Sequence, residues 1–157
     1  QMTIFDAARR YQDAGMPMVI AAGHDYGAGS SRDWAAKGPY MLGVRAILAR
    51  SFERIHRANL VGMGILPLLF PEDESHDSLG LTGDETLSVN VDLNQAIWTA
   101  EVTVNRRGEM QRFLAPVAIN TLREQRYFLE GGLLNMVTRR MLAPLSSNPS
   151  VSRELSL

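Results

Sequence analysis

Gly23-His-Asp-Tyr-Gly-Ala-Gly-Ser-Ser-Arg-Asp-Trp34 stands between two unlike neighbours. Apolar Met18-Val-Ile-Ala-Ala22 leads into it, and Asp33-Trp-Ala-Ala-Lys37 leaves it, so the order reads strand, glycine-rich turn, helix. Gly23, Gly27 and Gly29 let the backbone take positive φ and approach a ligand closely. Ser30 is expected to open the helix, with Asp33 as its capping-box partner. Unpaired N–H groups and the positive dipole end at a helix N-terminus suit an anion. Arg32 adds a planar fork able to grip a carboxylate at two points, and Ser30 and Ser31 add hydroxyls. The same pattern also serves as an ordinary strand-to-helix turn of an α/β protein. It is not the Walker phosphate loop, which ends Gly-Lys-Ser/Thr, nor the dinucleotide Gly-x-Gly-x-x-Gly. Nor is it Gly-x-Ser-x-Gly, since Ser31 and Arg32 follow Ser30.

Upstream, Thr3 is placed to N-cap a helix with Asp6 as box partner, and Ile4, Ala7, Ala8 and Tyr11 give it one apolar face. Gly15 and Pro17 end it. Downstream, Gly38-Pro39 is expected to break the second helix, and Trp34 and Tyr40 are read as core rather than ligand contacts. Val44 to Ala49 is a second strand, Ser51 the N-cap of a helix over 52–60, Gly62-Met-Gly64 a turn, and Ile65 to Phe70 a third strand with Pro67 marking an edge or bulge. In that helix Phe52, Ile55, Asn59 and Leu60 face inward, Glu53, Arg54 and Arg57 sit at the rim, and His56 is read as a hydrogen-bonded structural residue rather than a base. Strand–helix–strand–helix–strand over 18–70 implies crossovers and a partly parallel sheet, whose ligands sit beyond the strands' carboxyl ends.

Beyond residue 71 the pattern changes. Thr86 to Val91, Ile97 to Asn105 and Gln111 to Ile119 alternate with a period of about two and read as antiparallel strands, with Arg106-Arg107-Gly108 as a solvated hairpin turn. Helices are expected over 121–130 and 133–142, separated by Gly131-Gly132, with a disordered Ser-rich tail over 144–157.

Composition narrows the function classes. The chain has 157 residues, 45% hydrophobic and 21% charged, as in an ordinary soluble globular domain. A net charge of −1 offers no general basic surface for nucleic acid. No run reaches the roughly 18 apolar residues of a membrane span, and no secretory signal is visible. With no cysteine there is no disulfide, thiolate nucleophile or cysteine ligand, and His24, His56 and His76 match no metal-ligand spacing. A start at Gln1 rather than Met is expected of a fragment or a processed chain.

Two long blocks carry a family resemblance. Asp25-Tyr-Gly-Ala-Gly-Ser-Ser-Arg-Asp-Trp-Ala-Ala-Lys-Gly38 resembles the signature of the aconitase C-terminal swivel domain, and Ser51-Phe-Glu-Arg-Ile-His-Arg-Ala-Asn-Leu-Val-Gly-Met-Gly-Ile-Leu-Pro-Leu68 resembles its second block. Ile4-Phe-Asp-Ala-Ala8 with Tyr11, Leu79-Gly-Leu-Thr-Gly83 and Glu130-Gly-Gly-Leu-Leu134 extend the likeness over residues 2–143, most closely to the aconitase A and iron-regulatory-protein branch. The resemblance implies an α/β swivel domain over 1–143, with a partly parallel sheet, flanking helices and an antiparallel β section. It implies a C-terminal piece of a cytoplasmic multidomain hydro-lyase that interconverts citrate and isocitrate through cis-aconitate in the tricarboxylic acid cycle. The remaining aconitase domains would hold a 4Fe-4S cluster through their cysteines, and none would bind here. A substrate-binding arginine upstream of the first helix would lie outside this chain, and the isolated fragment is expected to be inactive.

By match to the motif, Ser30 is the catalytic base, Ser31 assists substrate binding and Arg32 holds charge at the substrate. Ala28 and Asp33 depart from the pattern only where relatives vary. The chemistry is coherent. Removing a proton beside a carboxylate builds enolate-like negative charge, and a serine alkoxide needs its pKa lowered by several units at about 1.4 kcal/mol each. A helix N-terminus supplies up to about 2 kcal/mol of that in a partly buried site. Arg32, backbone N–H groups and water exclusion on domain closure would supply the rest.

Three alternatives stand beside this reading. The 2-methylcitrate dehydratases share much of both blocks. The isopropylmalate isomerase small subunit uses a related domain as a separate chain, but follows Ser-Ser-Arg with Glu-His-Ala where Asp33-Trp34-Ala35 stands here. RNA binding by the apo full-length protein is the third, although Arg54, Arg57, Arg106 and Arg107 form no stripe with aromatic residues.

Overall fold

The computed structural model describes residues 2–30 and 32–142, and the tail expected over 144–157 lies outside them. Helix α1 (Ile4–Asp13) starts at the expected cap: Thr3 Oγ1 accepts from the Asp6 N–H at 3.1 Å and donates to its carboxylate at 2.7 Å. Its apolar face departs from expectation. Only Ala8 is buried, while Ile4, Phe5 and Tyr11 are exposed. The periodicity specifies a helix with a stripe, but not what covers the stripe.

Strands β1 (Met18–Ala22), β2 (Val44–Ala49) and β3 (Leu66–Leu69) form a parallel sheet in that order, with α2 (Arg32–Met41) and α3 (Arg54–Met63) as crossovers. Ala22 lies opposite Ala49, and Ala49 opposite Leu69, so all three strands end at one edge of the sheet. Pro67 does sit on an edge strand: its carbonyl accepts from the Ala118 N–H at 2.9 Å, so its missing N–H costs the sheet no bond.

Three expectations about the crossovers are corrected. Helix α2 continues through Gly38-Pro39 to Met41. A proline clashes with the Cβ of the residue before it in a helix, and Gly38 has none. Helix α3 is capped by Glu53, whose carboxylate accepts from the His56 N–H at 2.8 Å, and not by Ser51. It also runs on through Gly62, so that only Gly64, at φ 82°, ends it in a left-handed cap.

Strands β4 (Thr86–Val91), β5 (Thr99–Arg106) and β6 (Glu109–Pro116) form the antiparallel sheet, offset from the expected bounds by a few residues at β5 and β6. Their alternation places Val89, Val91, Ala100, Val102, Val104 and Ala115 in one core with Ala46, Leu48, Leu66 and Leu68 of the parallel sheet. On the parallel sheet's other face Ile47 and Val44 pack with Ala36 of α2 and Leu60 of α3. The layers are therefore helices, parallel sheet, antiparallel sheet, with each fully buried Leu or Ile worth about 1.5–3 kcal/mol. Helices α4 (Leu122–Leu129) and α5 (Leu133–Leu142) close the end of the chain. Arg57 of α3 donates to the Ala118 carbonyl at 2.9 Å and to the Glu124 carboxylate at 2.7 Å, which ties α3 to α4.

Arg106 is a further correction. It is the last residue of β5 and its guanidinium is engaged, donating to Glu85 at 3.2 Å and to the Leu79 and Gly80 carbonyls. The turn itself is Arg107-Gly108, with φ of 50° and 100° as a tight hairpin requires. Glu85 also accepts from the N–H groups of Thr82 and Gly83, and its side chain is 1% exposed. Those contacts, the Thr82 N–H above all, lower its pKa from 4.5 to about 2 against the opposing effect of burial. A lowered carboxylate pKa gives stability that is complete above the ordinary value and is lost as pH falls through the folded one. Glu85→Gln should therefore melt earlier at neutral pH and lose less on acidification between pH 4.5 and 2 than the parent chain. Parallel acid limbs in melts of the two proteins would refute this.

Candidate functional site

The Gly23–Ser30 loop leaves the carboxyl end of β1 and runs to α2, at the sheet edge where all three parallel strands end. The turn after β2 holds it in place. The Arg50 N–H donates to the Gly23 carbonyl at 3.0 Å, the Tyr26 N–H to the Ser51 carbonyl at 2.9 Å, and the Glu53 N–H to the Tyr26 carbonyl at 3.0 Å. Ser51 Oγ accepts from the Asp25 N–H at 2.7 Å and donates to the Asp25 carboxylate at 3.0 Å. The hydroxyl expected to cap α3 thus fastens the two loops together. Tyr26 meets Phe52 edge to face, with centroids 6.1 Å apart.

Backbone conformation concentrates here. Asp25 has φ 51°, Gly27 87° and Arg32 40°. Gly27 is required twice over, by its φ and because a Cβ would fall 2.1 Å from His56 Cγ and Cδ2. An arginine at positive φ is unusual, and such strain persists only where surrounding structure over-determines it.

The sequence-derived site residues are distributed as follows. Helix α2 starts at Arg32, so Ser30 lies two residues short of it and is not its N-cap. Left-handed Arg32 turns the chain at the helix mouth and leaves Ser30 exposed in the loop. Arg32 is exposed at the first helical position. Ser31 lies outside the described residues. Trp34 is 71% exposed, against the expectation that it belongs to the core, and Lys37 Nζ stands 4.7 Å over its ring. Tyr40 packs against the core as expected, with the Arg45 guanidinium 4.5 Å over its ring.

Charge around the loop is mixed. The Glu53 carboxyl is held below its usual pKa first by the His56 N–H, then by that of Ile55, with the charges of Arg32 and Arg54 adding. His56 is the residue that sequence reasoning undervalued. It is 3% exposed, lies directly beneath Gly27, and stacks at a tilt on Tyr26 with centroids 5.3 Å apart. Neither ring nitrogen has a hydrogen-bond partner among the described residues, which corrects its reading as a satisfied structural histidine. Burial lowers its pKa below 6.5, opposed by the Glu53 charge and the Arg32 backbone, so the ring is neutral at neutral pH. The repeated glycine spacing signals a close backbone approach, but not which side chain makes it.

A groove of about 590 Å³ lies elsewhere, between α4 and α5, lined by Arg123, Arg126, Tyr127 and Arg140. Along the loop Gly23, His24, Asp25, Ala28, Gly29 and Ser30 are exposed. As it stands, the arrangement can offer an anion the Arg32 guanidinium and a rigidly fastened glycine-rich backbone, with the exposed Ser30 hydroxyl in the same loop. Among the described residues no group of three or more His, Asp or Glu side chains could hold a metal ion, and the chain has no cysteine.

Comparison with known proteins follows the same outline. Residues 1–73 match the family described as the aconitase C-terminal domain. Aconitate hydratase A of Corynebacterium efficiens is 52% identical over 148 residues, covering 91% of this chain and 16% of that protein. Aconitate hydratase A of Staphylococcus aureus is 52% identical over 144 residues, covering 90% and 16%. That of Corynebacterium glutamicum is 47% identical over 148 residues, covering 91% and 16%. The chain thus spans about one-sixth of the length of the relatives it matches. A crystal structure of 3-isopropylmalate dehydratase from Methanocaldococcus jannaschii superimposes with a TM-score of 0.53 at 20% identity, over 90% of this chain and 81% of that one. At that identity the likeness extends to the fold alone, and it agrees with the mixed parallel and antiparallel α/β architecture read from the sequence.

Proposed function

We propose that this chain, whose residues 1–73 match the aconitase C-terminal domain family, acts as the C-terminal swivel domain, residues 1–143, of an aconitate hydratase. In that role it supplies the base for interconverting citrate and isocitrate through cis-aconitate. The observation that carries the reading is 52% identity across 91% of the chain to an aconitate hydratase A. The cytoplasm and the tricarboxylic acid cycle are the setting this reading gives the protein.

Under this proposal Ser30 removes the proton from the carbon next to a substrate carboxylate, and Ser31 and Arg32 bind the substrate. The fastened loop supports such a task, because a rigid backbone needs no reorganisation when charge develops. Arg32 would form paired hydrogen bonds to a carboxylate and stabilise the alkoxide electrostatically. The exposure of Ser30, Arg32 and Trp34 fits a half-site that other domains must cover. Until water is excluded, the local charges act at high dielectric and are weak. The 4Fe-4S cluster of the proposed enzyme does not fit this chain, which lacks cysteine, so it belongs to the remaining domains.

The test is to express the complete protein, reconstitute its cluster and assay hydration and dehydration with citrate, isocitrate and 2-methylcitrate. The expected result is turnover of citrate and isocitrate by the complete protein. This chain alone should give neither turnover nor iron–sulfur absorption. A complete protein that turns over 2-methylcitrate but not citrate would move the assignment to the related dehydratases.

A further inference from the structure

We infer that the groove between α4 and α5 binds a small polyphosphate, a compound carrying several linked phosphate groups. The groove shares no residue with the Gly23–Ser30 loop. Its walls are Leu122, Arg123, Arg126 and Tyr127 of α4 with Met136 and Arg140 of α5, around a space of about 590 Å³. Small-molecule sites span roughly 300–1,000 Å³. Three of the six lining residues are arginines and none is acidic. From Val117 to Leu142 the acidic residues are Glu124 and Glu130, and both are already engaged. Glu124 accepts from Arg57 at 2.7 Å and from the Asn120 N–H at 2.8 Å, and Glu130 accepts from Arg139 at 2.8 Å. The side chains of Arg123, Arg126 and Arg140 form no ion pair among the described residues. A chain of net charge −1 thus gathers three unbalanced guanidiniums around one groove.

Solvation of ordinary surface charge accounts for only part of this. Arg140, in the last turn of α5, is favoured by that helix's dipole. Arg123 is not: it stands in the first turn of α4, where the positive dipole end disfavours a cation. Arg123 and Arg126 are three residues apart on one helix face, where like charges repel. Leu122 and Arg123 also carry the first two N–H groups of α4, which no helical carbonyl can pair. An anion between the helices would relieve all of these together. Phosphate answers the arrangement better than carboxylate. One phosphate offers three acceptor oxygens and nearly two charges, so neighbouring guanidinium forks can share it, whereas a carboxylate has two oxygens and one charge. Arg123 and Arg126 then hold one phosphate, and Arg140 across the groove holds the next. Leu122, Met136 and the Tyr127 ring supply apolar surface for any organic group attached to the phosphates.

The test titrates this chain with magnesium-free ATP and with tripolyphosphate by calorimetry, and locates the ligand by amide chemical shifts. The expected result is binding of either compound with shifts at Arg123, Arg126, Tyr127 and Arg140. Tighter binding of ATP would identify a nucleotide as the source of the phosphates, and equal binding an inorganic chain. Arg126→Gln and Arg140→Gln should each weaken binding by about tenfold, the loss of one charged hydrogen bond. Arg10→Gln removes the same charge from α1, outside the groove, and should change binding less than about twofold, since salt screens distant charges. Both lining arginines are exposed, so the variants should melt as the parent does, and either one decides if the other fails to fold. Equal losses in all three variants would reduce the effect to net charge and overturn the site. So would shifts confined to the Gly23–Ser30 loop, citrate binding as tight as that of ATP, or capture of a single-stranded oligonucleotide with neither phosphate compound bound. The complete protein should bind the same compounds; failure there would show the groove covered by other domains and would overturn the proposal as well.

Discussion

Gly27→Ala should destabilise this chain by more than about 4 kcal/mol, a cost few single substitutions reach. Two effects add. At φ 87° any residue with a Cβ loses about 1–2 kcal/mol relative to glycine. The new carbon would also lie 2.1 Å from His56 Cγ and Cδ2 and 2.5 Å from its Cβ, well inside contact distance. The ring cannot swing away freely, because Tyr26 stacks against it and its backbone belongs to the first turn of α3. The loop must move instead, and with it the three backbone hydrogen bonds that fasten it to the β2–α3 turn. Urea unfolding of the variant gives the number. The cause is tested by adding His56→Ala, which removes the ring. The two changes should then be less harmful together than their sum by about 1–3 kcal/mol, the size of coupling found between residues in contact. Strict additivity would mean that the cost comes from backbone conformation alone.

The sequence shows this glycine, but not its partner, and the difference is instructive. Strands β1 and β2 have the bounds expected because short apolar runs between glycine-rich turns leave little freedom. The Thr3 cap was legible because a cap is a contact three residues long. What could not be read locally was decided across the chain. Ser51 has the local pattern of an N-cap, yet its hydroxyl bonds Asp25, twenty-six positions away, and Glu53 takes the capping role. Arg106 looked like a solvated turn residue until Glu85 was placed beside it by the fold. Pro39 looked like a helix breaker, but Gly38 before it removes the steric conflict. For the candidate site, the loop and its place beyond β1 were legible, as were Ser30 and Arg32 as residues of that loop. The burial of His56 beneath Gly27 was not, because nothing in a helical stretch announces which loop will cross it.

Ser30→Ala in the complete enzyme should lower kcat by about 10²–10⁴, the usual contribution of a positioned acid or base, with KM nearly unchanged. The hydroxyl is taken as the base, so its loss removes a step made only in the transition state and leaves the carboxylate contacts standing. Folding should be almost indifferent. Ser30 is exposed and lies before the first residue of α2, so the cost of about 1 kcal/mol for removing a helix cap does not apply. The expected change is within about 0.5 kcal/mol, as for a surface substitution free of special contacts. Arg32→Lys makes the complementary case. The lysine keeps the charge but loses the fork, so a two-point carboxylate grip becomes a point contact. If Arg32 holds substrate in both ground and transition states, KM rises while kcat falls. The loss should exceed the roughly 1 kcal/mol of an exposed ion pair, because closure of the other domains removes water from the contact. A loop of purely structural importance gives the opposite pattern: a lowered melt with full turnover per folded molecule. Steady-state kinetics beside a thermal melt on both variants separate the two, and a fully active Ser30→Ala enzyme would show that the base is another group.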